Sequence, residues 1–249
     1  PEEGEIVAVY THKNEYIATG HFQIGSIMVR VLSFENEAID QKFYERKLTI
    51  ALDVRKRIGM IGNNNNTYRL VHGEGDNLPG LVIDVYGHIA VMQAHSVGMH
   101  KDRKLLALAL KTVMGDEVHN IFYKSETTLP YKADLGQENG FLLGNDTEDI
   151  AVENGLKFHV DWLKGQKTGF FVDQRDNRSL LEHYSKGRKV LNMFCYTGGF
   201  SFYAMRGGAE IVHSVDSSQK AIDLTKANVT LNFPNDSRHE AFAEDAFKY

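Results

Sequence analysis

The chain has 249 residues, of which 42% are hydrophobic and 24% are charged, and its formal net charge is −5 at pH 7. Such a composition is ordinary for a globular protein, and the length allows two or three domains with cores of their own. No run reaches the ~18 apolar residues of a membrane span, and no secretory leader pattern is seen. A single cysteine, Cys195, excludes an intramolecular disulfide framework. We therefore expect a cytoplasmic protein without a membrane partner.

The charge gives no general support for nucleic-acid binding. Residues 1–150 carry 15 Lys and Arg against 21 Asp and Glu, and residues 151–249 carry 13 against 12. Nucleic-acid-binding domains are usually basic. Local basic clusters at 55–57 and 186–189 could still form a patch, although solvated helix ends are the alternative interpretation.

The N-terminal segments alternate between apolar and polar residues. Short strands are expected at 5–10, 16–22 and 26–34, and turn residues separate them, which predicts a small antiparallel β unit. A helix follows, with Phe43, Ile50, Val54 and Ile58 predicted to line its buried face. The polar tract 63–66 is predicted to be a loop rather than a site.

The central region predicts a second α/β pattern. Strands are expected at 68–71, 81–86, 89–94 and 118–124, with a helix at 105–113. Glu74 and Asp76 could suggest a metal site, but acids among glycines more often form turns. The histidines of this region show no ligand spacing, so we predict no metal.

The most informative stretch is 189–216, where the pattern predicts a strand, a turn, a helix and a second strand. The turn is Thr197-Gly198-Gly199, and the second strand ends on Asp216. A glycine turn lets a ligand approach a helix N-terminus, and an acid at the end of the next strand can bind ribose hydroxyls. An ordinary βαβ unit whose glycines merely turn the chain is the alternative.

The glycine spacing bears on which adenosine cofactor would bind. Dinucleotide sites prefer G-x-G-x-x-G, whose second glycine admits the pyrophosphate, whereas this turn is followed by Phe200 and other bulky residues. S-adenosylmethionine (SAM) has no phosphate and fits better. A third strand is expected at 239–243, and Asp245 just after it could receive the adenine amino group.

Two stretches carry a family resemblance. KTGFFVDQRDNR at 167–178 and KVLNMFCYTGGFSFYAMRGGAEIVHSVDSSQKAIDLTKANVTLN at 189–232 resemble bacterial class I methyltransferases that modify C5 of a cytosine in large-subunit ribosomal RNA. The segment at 68–87 matches that family well, and the first 60 residues match it weakly. In that family a PUA domain and a small central domain precede the methyltransferase domain.

The resemblance implies a set of cofactor-binding residues. Asp216 would bind the ribose, Asp245 would lie at the adenine, and the glycine turn would approach the cofactor, with residues of 167–178 forming a cap. The full implied set is Lys167, Thr168, Phe171, Gln174, Arg178, Asn192, Tyr196, Thr197, Gly198, Gly199, Asp216, Ser217, Asp245 and Ala246. From the residues alone, Lys167, Arg175 and Arg178 could bind a phosphate or carboxylate, or the two arginines could belong to a solvated helix face. Asp173 is predicted to be the N-cap of a helix at 174–184.

Methylation of cytosine C5 requires a thiolate that attacks C6. Cys195 lies at the end of the first predicted strand of this unit and is expected to be a packing residue. The resemblance places the attacking cysteine downstream of Tyr249, so we list no catalytic residue. We expect a chain that is truncated at both ends relative to the family and inactive alone.

The sequence thus predicts an α/β fold. An incomplete Rossmann-like SAM methyltransferase domain (151–249) would follow a partial PUA-like β domain (1–36), a linking helix (37–62) and a small central α/β domain (63–150). The expected partner is large-subunit ribosomal RNA, and an unpaired sheet edge would allow a homodimer. A non-catalytic RNA-binding or ribosome-assembly module and a nicotinamide-dependent oxidoreductase remain as alternatives.

Overall fold

The computed structural model describes residues 1–130, 135, 138–147 and 150–249, and the chain divides into two compact units, Pro1–Asp149 and Ile150–Tyr249. Within the described ranges no helix combines the length and the apolar character needed to cross a membrane. The finer division of the first unit into residues 1–36, 37–62 and 63–150 stays a prediction, and the last of these ranges includes residues outside the described part.

The first unit begins with an antiparallel sheet of three strands, β1 (Ile6–Tyr10), β2 (Tyr16–Phe22) and β3 (Val29–Ser33). The three strands predicted from alternation are all present. Gly20 allows β2 and β3 to approach closely, because a Cβ at this position would lie 2.2 Å from the carbonyl oxygen of Arg30.

A mixed sheet of five strands holds most of the core of the first unit. Its strand order follows the chain, and only β6 and β7 run parallel. The strands are β4 (Thr67–His72), β5 (Leu81–Tyr86), β6 (Ile89–Ala94), β7 (Asn120–Tyr123) and β8 (Gly140–Leu143), and the helices of this unit are α1 (Gln41–Arg57), α2 (Val97–Lys101) and α3 (Arg103–Met114). The sequence predicted β4 to β7 and α3 but not β8.

Helix α1 buries a different face from the predicted one. Asp40 caps it by accepting the Phe43 amide at 2.9 Å. The buried side chains are Phe43, Tyr44, Leu48, Ala51 and Leu52, whereas three of the four predicted positions are exposed, namely Ile50, Val54 and Ile58. The prediction was wrong because α1 packs against α3 and β4, and that packing selects the neighbouring stripe.

The second unit is a β–α–β–α–β arrangement preceded by a hairpin. Strands β11, β12 and β13 are parallel and lie in that order, which confirms the predicted parallel sheet. The elements are β9 (Ala151–Glu153), β10 (Leu156–Phe158), α4 (Arg175–Tyr184), β11 (Lys189–Met193), α5 (Gly199–Arg206), β12 (Ile211–Asp216), α6 (Gln219–Asn232) and β13 (His239–Ala243). The sequence did not predict the hairpin of β9 and β10.

The start of α4 differs from the prediction. A short 3₁₀ helix, Val172–Gln174, leads into α4, and Gln174 is its N-cap without a side-chain hydrogen bond. Asp173 is therefore not the cap, because it lies inside the 3₁₀ turn and its carboxylate accepts from the Gln174 side chain. By contrast, the predicted N-cap of α6 is confirmed, since the Ser218 hydroxyl accepts the Ala221 amide.

Candidate functional site

The turn after β11 is tightly packed. Gly198 is the N-cap of α5 and has a φ of 81°, which side-chain-bearing residues rarely adopt. A Cβ at Gly198 would lie 2.6 Å from Thr225 Cγ2, and one at Gly199 would lie 3.3 Å from both Arg178 and Phe170. Both glycines therefore let α5 begin close to its neighbours, which places the helix N-terminus at the carboxyl edge of the sheet.

Asp216 connects the ends of β11 and β12. Its Oδ2 accepts the backbone N–H of Tyr196 at 2.9 Å, and its Oδ1 accepts the backbone N–H of Ser218 at 2.9 Å. Because a carboxylate has about four lone-pair sites, two of them remain for other donors. The side chain is half-buried and its orientation is fixed by the two turns that it bridges.

A cavity of about 130 Å³ lies beside this carboxylate. One wall consists of residues of the turn and of α6, and the other of the 161–166 segment. The side chains of Asp161 and Lys220 form an ion pair between the two walls. The lining residues are Asp161, Lys164, Gly165, Gln166, Tyr196, Thr197, Asp216, Ser218, Lys220, Ala221 and Leu224.

Tyr196 fastens the segment before α4 onto the glycine turn. Its hydroxyl accepts the Gln166 backbone N–H at 3.0 Å and donates to the Gly169 carbonyl at 3.2 Å. The ring of Phe171 packs edge-on against the Tyr196 ring, with centroids 5.6 Å apart. Tyr196, within the 189–216 stretch, thus contacts the start of the 167–178 stretch at Gly169 and Phe171.

Comparisons with known proteins agree with this geometry. Residues 128–249 match the family model of S-adenosylmethionine-dependent methyltransferases, and residues 1–34 match that of PUA-like domains. Residues 128–249 belong to the SAM-dependent methyltransferase family. We refer to Ile150–Tyr249 below as the methyltransferase unit.

Curated relatives extend the similarity over the whole chain. The "Ribosomal RNA large subunit methyltransferase I" of Alteromonas mediterranea is 40% identical over 98% of this chain, and that of Aliivibrio fischeri strain ES114 is 41% identical over 99% of it. This chain spans 62% and 63% of the lengths of those two proteins.

A solved structure has the same fold. A protein from Streptococcus mutans, described as a SAM-dependent methyltransferase, superposes with a TM-score of 0.84 at 24% identity, covering all of this chain and 64% of that one. A second structure with the same TM-score and identity is described as a methyltransferase complexed with SAH. At this level of identity the likeness establishes the fold.

The cavity of the methyltransferase unit contains three of the residues implied by resemblance, Tyr196, Thr197 and Asp216. Gly198 and Gly199 form the adjoining turn, and the hydroxyl of Tyr196 holds the loop that contains Thr168. The lining residues of the 161–166 segment and of α6 were not predicted from the sequence. The lining residues at the start of α6 could have been predicted, because Ser218 and Lys220 follow Asp216 almost directly in the sequence.

Arg178 lies in the interior rather than at the cavity. Its guanidinium donates two hydrogen bonds to Glu153, both at 2.7 Å, and one to the Phe171 carbonyl at 3.0 Å. Arg178 is 2% exposed and Glu153 is fully buried. The hydroxyl of Tyr203 also donates to Glu153, at 2.9 Å, and burial raises the pKa of that phenol. The arginine thus joins the hairpin of β9 and β10 to the 171–178 segment, and a direct contact with a cofactor stays a prediction.

The other implied residues do not line the cavity. Asn192 donates to Ser201, which bonds to Ser214, and so links β11, α5 and β12. Lys167 and Ser217 are exposed. Gln174 accepts from the Asn177 side chain at the start of α4. Asp245 accepts the Phe247 amide in the turn after β13, and Ala246 belongs to the same turn.

Cys195 has the environment of a packing residue. It is 7% exposed, and its N–H donates to the Val215 carbonyl of β12 at 3.0 Å. Burial, followed by the negative charge of Asp216, raises the pKa of the thiol to about 12. The thiol is therefore protonated at neutral pH and is a poor nucleophile.

The acids of the central loop are engaged with arginines. Asp76 forms an ion pair with Arg55, and Glu74 pairs with Arg30 at 3.2 Å. Among the residues that the structure describes, no group of three or more His, Cys, Asp or Glu side chains is arranged to hold a metal ion.

Proposed function

We propose that the protein uses SAM to methylate a nucleotide of large-subunit ribosomal RNA. The family match and the names of the curated relatives support this activity, and the PUA-like segment at residues 1–34 supports an RNA substrate. The observation that carries the proposal is the fixed carboxylate of Asp216 at the carboxyl end of β12, facing the cavity beside the glycine turn.

The residues of the cavity fit SAM. Asp216 keeps acceptor sites for two ribose hydroxyls, because its two backbone hydrogen bonds use only part of its capacity. Lys164 supplies positive charge for a carboxylate, whereas the charge of Lys220 is paired with Asp161. When bound, SAM supplies an electrophilic methyl group on a sulfonium. The family match favours SAM over the nicotinamide dinucleotide that the strand–turn–helix pattern alone would allow.

We further propose cytosine C5 as the acceptor, as the family resemblance implies. This reaction needs a thiolate, and the single cysteine of the chain does not provide one, because the Cys195 thiol is buried with a pKa of about 12. The attacking cysteine would come from outside these 249 residues.

A cytoplasmic location and a homodimer complete the proposal. Ribosomal RNA as a substrate requires the first. The second is supported by the parallel sheet, in which β11 and β13 each have one described neighbour. Light scattering after size-exclusion chromatography tests the homodimer, and a monomer mass would contradict it.

Calorimetric titration with SAM tests the cofactor assignment. The wild-type protein should bind SAM, and Asp216→Ala should bind about 100-fold more weakly or not at all, because charge-assisted hydrogen bonds contribute roughly 1.5–3 kcal/mol each. Asp223→Ala, which removes an exposed carboxylate on α6, is the matched control and should bind like the wild type.

NADH is titrated in parallel and should give no heat of binding. A folded wild-type protein that does not bind SAM would refute the methyltransferase proposal and favour the non-catalytic RNA-binding module.

A further inference from the structure

A second cavity lies in the first unit and includes residues of the 63–66 tract that was predicted to be a loop rather than a site. Its volume is about 280 Å³, and it is bounded by the 61–66 loop, the start of β4, the β5–β6 turn and the end of α3. Ile61, Val85 and Met114 provide an apolar floor. A planar ring of the size of a nucleobase fits a space of this volume and character.

Two polar groups at this cavity have no hydrogen-bond partner among the described residues, and one of them, Asn65 Oδ1, is a buried atom. Tyr68 is 3% exposed, and its hydroxyl has no hydrogen bond to any described residue. Asn65 is 7% exposed, and its Oδ1 likewise has none within the described chain. Buried polar groups are nearly always hydrogen-bonded, so the orphaned Asn65 Oδ1 indicates a partner that the described chain does not supply.

Tyr68 and Glu117 line the same cavity. Burial raises the pKa of the Tyr68 phenol, and the negative charge of Glu117 raises it further. The Glu117 carboxylate and the Asn63 amide also have no described hydrogen-bond partner. The cavity thus presents uncharged donors and acceptors together with one carboxylate, a set that accepts ring amino groups and repels phosphate.

A flat aromatic platform adjoins these groups. The imidazole of His88 lines the cavity and stacks on that of His119, with ring centroids 4.6 Å apart and an angle of 7° between their planes. Both residues are exposed. Histidine rings are among the side chains on which unpaired RNA bases stack.

Positive charge lies just outside the cavity. Lys56 and Arg57, in the last turn of α1, are exposed and make no ion pair with any residue that the structure describes. The chain turns back immediately after them, through hydrogen bonds from Gly59 and Met60, and continues into the cavity wall at Ile61. Cations at this point suit the phosphates that flank a bound base.

We propose that this cavity binds one unpaired nucleobase of an RNA strand. His88 stacks on the base, Tyr68, Asn63, Asn65 and Glu117 bond to its edge, and Lys56 and Arg57 contact the flanking phosphates. The inference rests on the proposed RNA substrate and adds a base-binding site outside the methyltransferase unit. A free nucleotide has the same base as an RNA strand. It carries only a terminal phosphate, however, whereas the two cations Lys56 and Arg57 suit the phosphates on both sides of a base within a strand.

Fluorescence anisotropy with a labelled single-stranded RNA of about 12 nucleotides tests the site in the full chain. His88→Ala should weaken binding at least about 5-fold, the lower end of the effect of removing one base–aromatic stack. His183→Ala is the matched control, because it removes another exposed imidazole packed on an aromatic ring, and it should bind like the wild type.

Tyr68→Phe provides a test that does not depend on stacking. The substitution removes only a hydroxyl without a described hydrogen bond, so the unfolding midpoint should be unchanged while RNA affinity falls about 3-fold or more. A hydroxyl satisfied only by water would leave RNA affinity unchanged.

Wild-type RNA affinity in both His88→Ala and Tyr68→Phe would overturn the proposal. Binding of GMP or AMP at concentrations at which the oligonucleotide does not bind would overturn the assignment to an RNA strand. The SAM titration of the wild-type protein is run alongside. If SAM binds and the RNA affinities do not change, this site fails while the methyltransferase proposal stands.

Discussion

The cavity beside Asp216 and the cavity beside Tyr68 differ in how their polar groups are used. In the methyltransferase unit Asp216 accepts two backbone N–H groups, the Tyr196 hydroxyl makes two hydrogen bonds, and Lys220 is paired. In the first unit the Tyr68 hydroxyl and Asn65 Oδ1 make none within the described chain. Groups that are held in place by the protein favour one fixed ligand geometry, whereas unpaired groups acquire their partners only on binding.

The largest expected effect comes from breaking the buried ion pair of Glu153 and Arg178 in the methyltransferase unit. Glu153→Gln should lower the free energy of unfolding of this unit by about 3–5 kcal/mol, because it leaves the charge of Arg178 buried without its partner. Urea unfolding can be followed by the fluorescence of Trp162, the only tryptophan, which is buried in the same unit.

A surface pair provides the control for this effect. Glu182 and Arg206 make a two-fold hydrogen-bonded pair of similar geometry, but both side chains are about a third exposed. Glu182→Gln should therefore cost about 1 kcal/mol or less. Equal losses for Glu153→Gln and Glu182→Gln would show that the buried pair does not organise the unit.

Two matched tyrosine substitutions compare the cavities directly. Tyr196→Phe removes two hydrogen bonds and should lower the free energy of unfolding by about 1–2 kcal/mol. It should also weaken SAM binding about 5-fold, because the 166–169 segment loses its attachment to the turn. Tyr68→Phe should change stability by less than about 0.5 kcal/mol.

Denaturant unfolding and SAM calorimetry on both variants measure these effects. A larger stability loss in Tyr68→Phe than in Tyr196→Phe would reverse the comparison, since it would mean that the Tyr68 hydroxyl is satisfied within the folded chain.

The sequence predicted those parts of the fold that depend on local pattern. Strands β5, β6 and β13 have the predicted bounds, and Ser218 caps α6 as its position before a helical repeat indicated. The position of Asp216 beside the turn could also be predicted, because the ends of neighbouring parallel strands meet at one edge of the sheet.

The remaining features depend on distant partners. Helix α1 offers two apolar stripes, and only packing on α3 and β4 selects the one with Tyr44 and Leu48. Arg178 could not be assigned from its helix, because its partner Glu153 lies 25 residues away in a hairpin that local pattern did not predict. The local sequence of β4 likewise does not indicate that the Tyr68 hydroxyl has no hydrogen-bond partner among the described residues.

The last prediction concerns Cys195, another group whose state is fixed by its surroundings. Its pKa of about 12, against an ordinary value of about 8.5, leaves the thiol protonated at pH 8, so alkylation by iodoacetamide should be at least about 100-fold slower in the native protein than in urea. Because folding raises this pKa, the stability that it contributes is present below pH ~8.5 and is lost as the pH rises towards 12. The unfolding free energy of the wild type should therefore fall more steeply over this range than that of Cys195→Ala. Alkylation at equal rates in the folded and unfolded protein would show instead that the turn opens readily, and the cavity beside Asp216 would then be assembled by its ligand rather than before it.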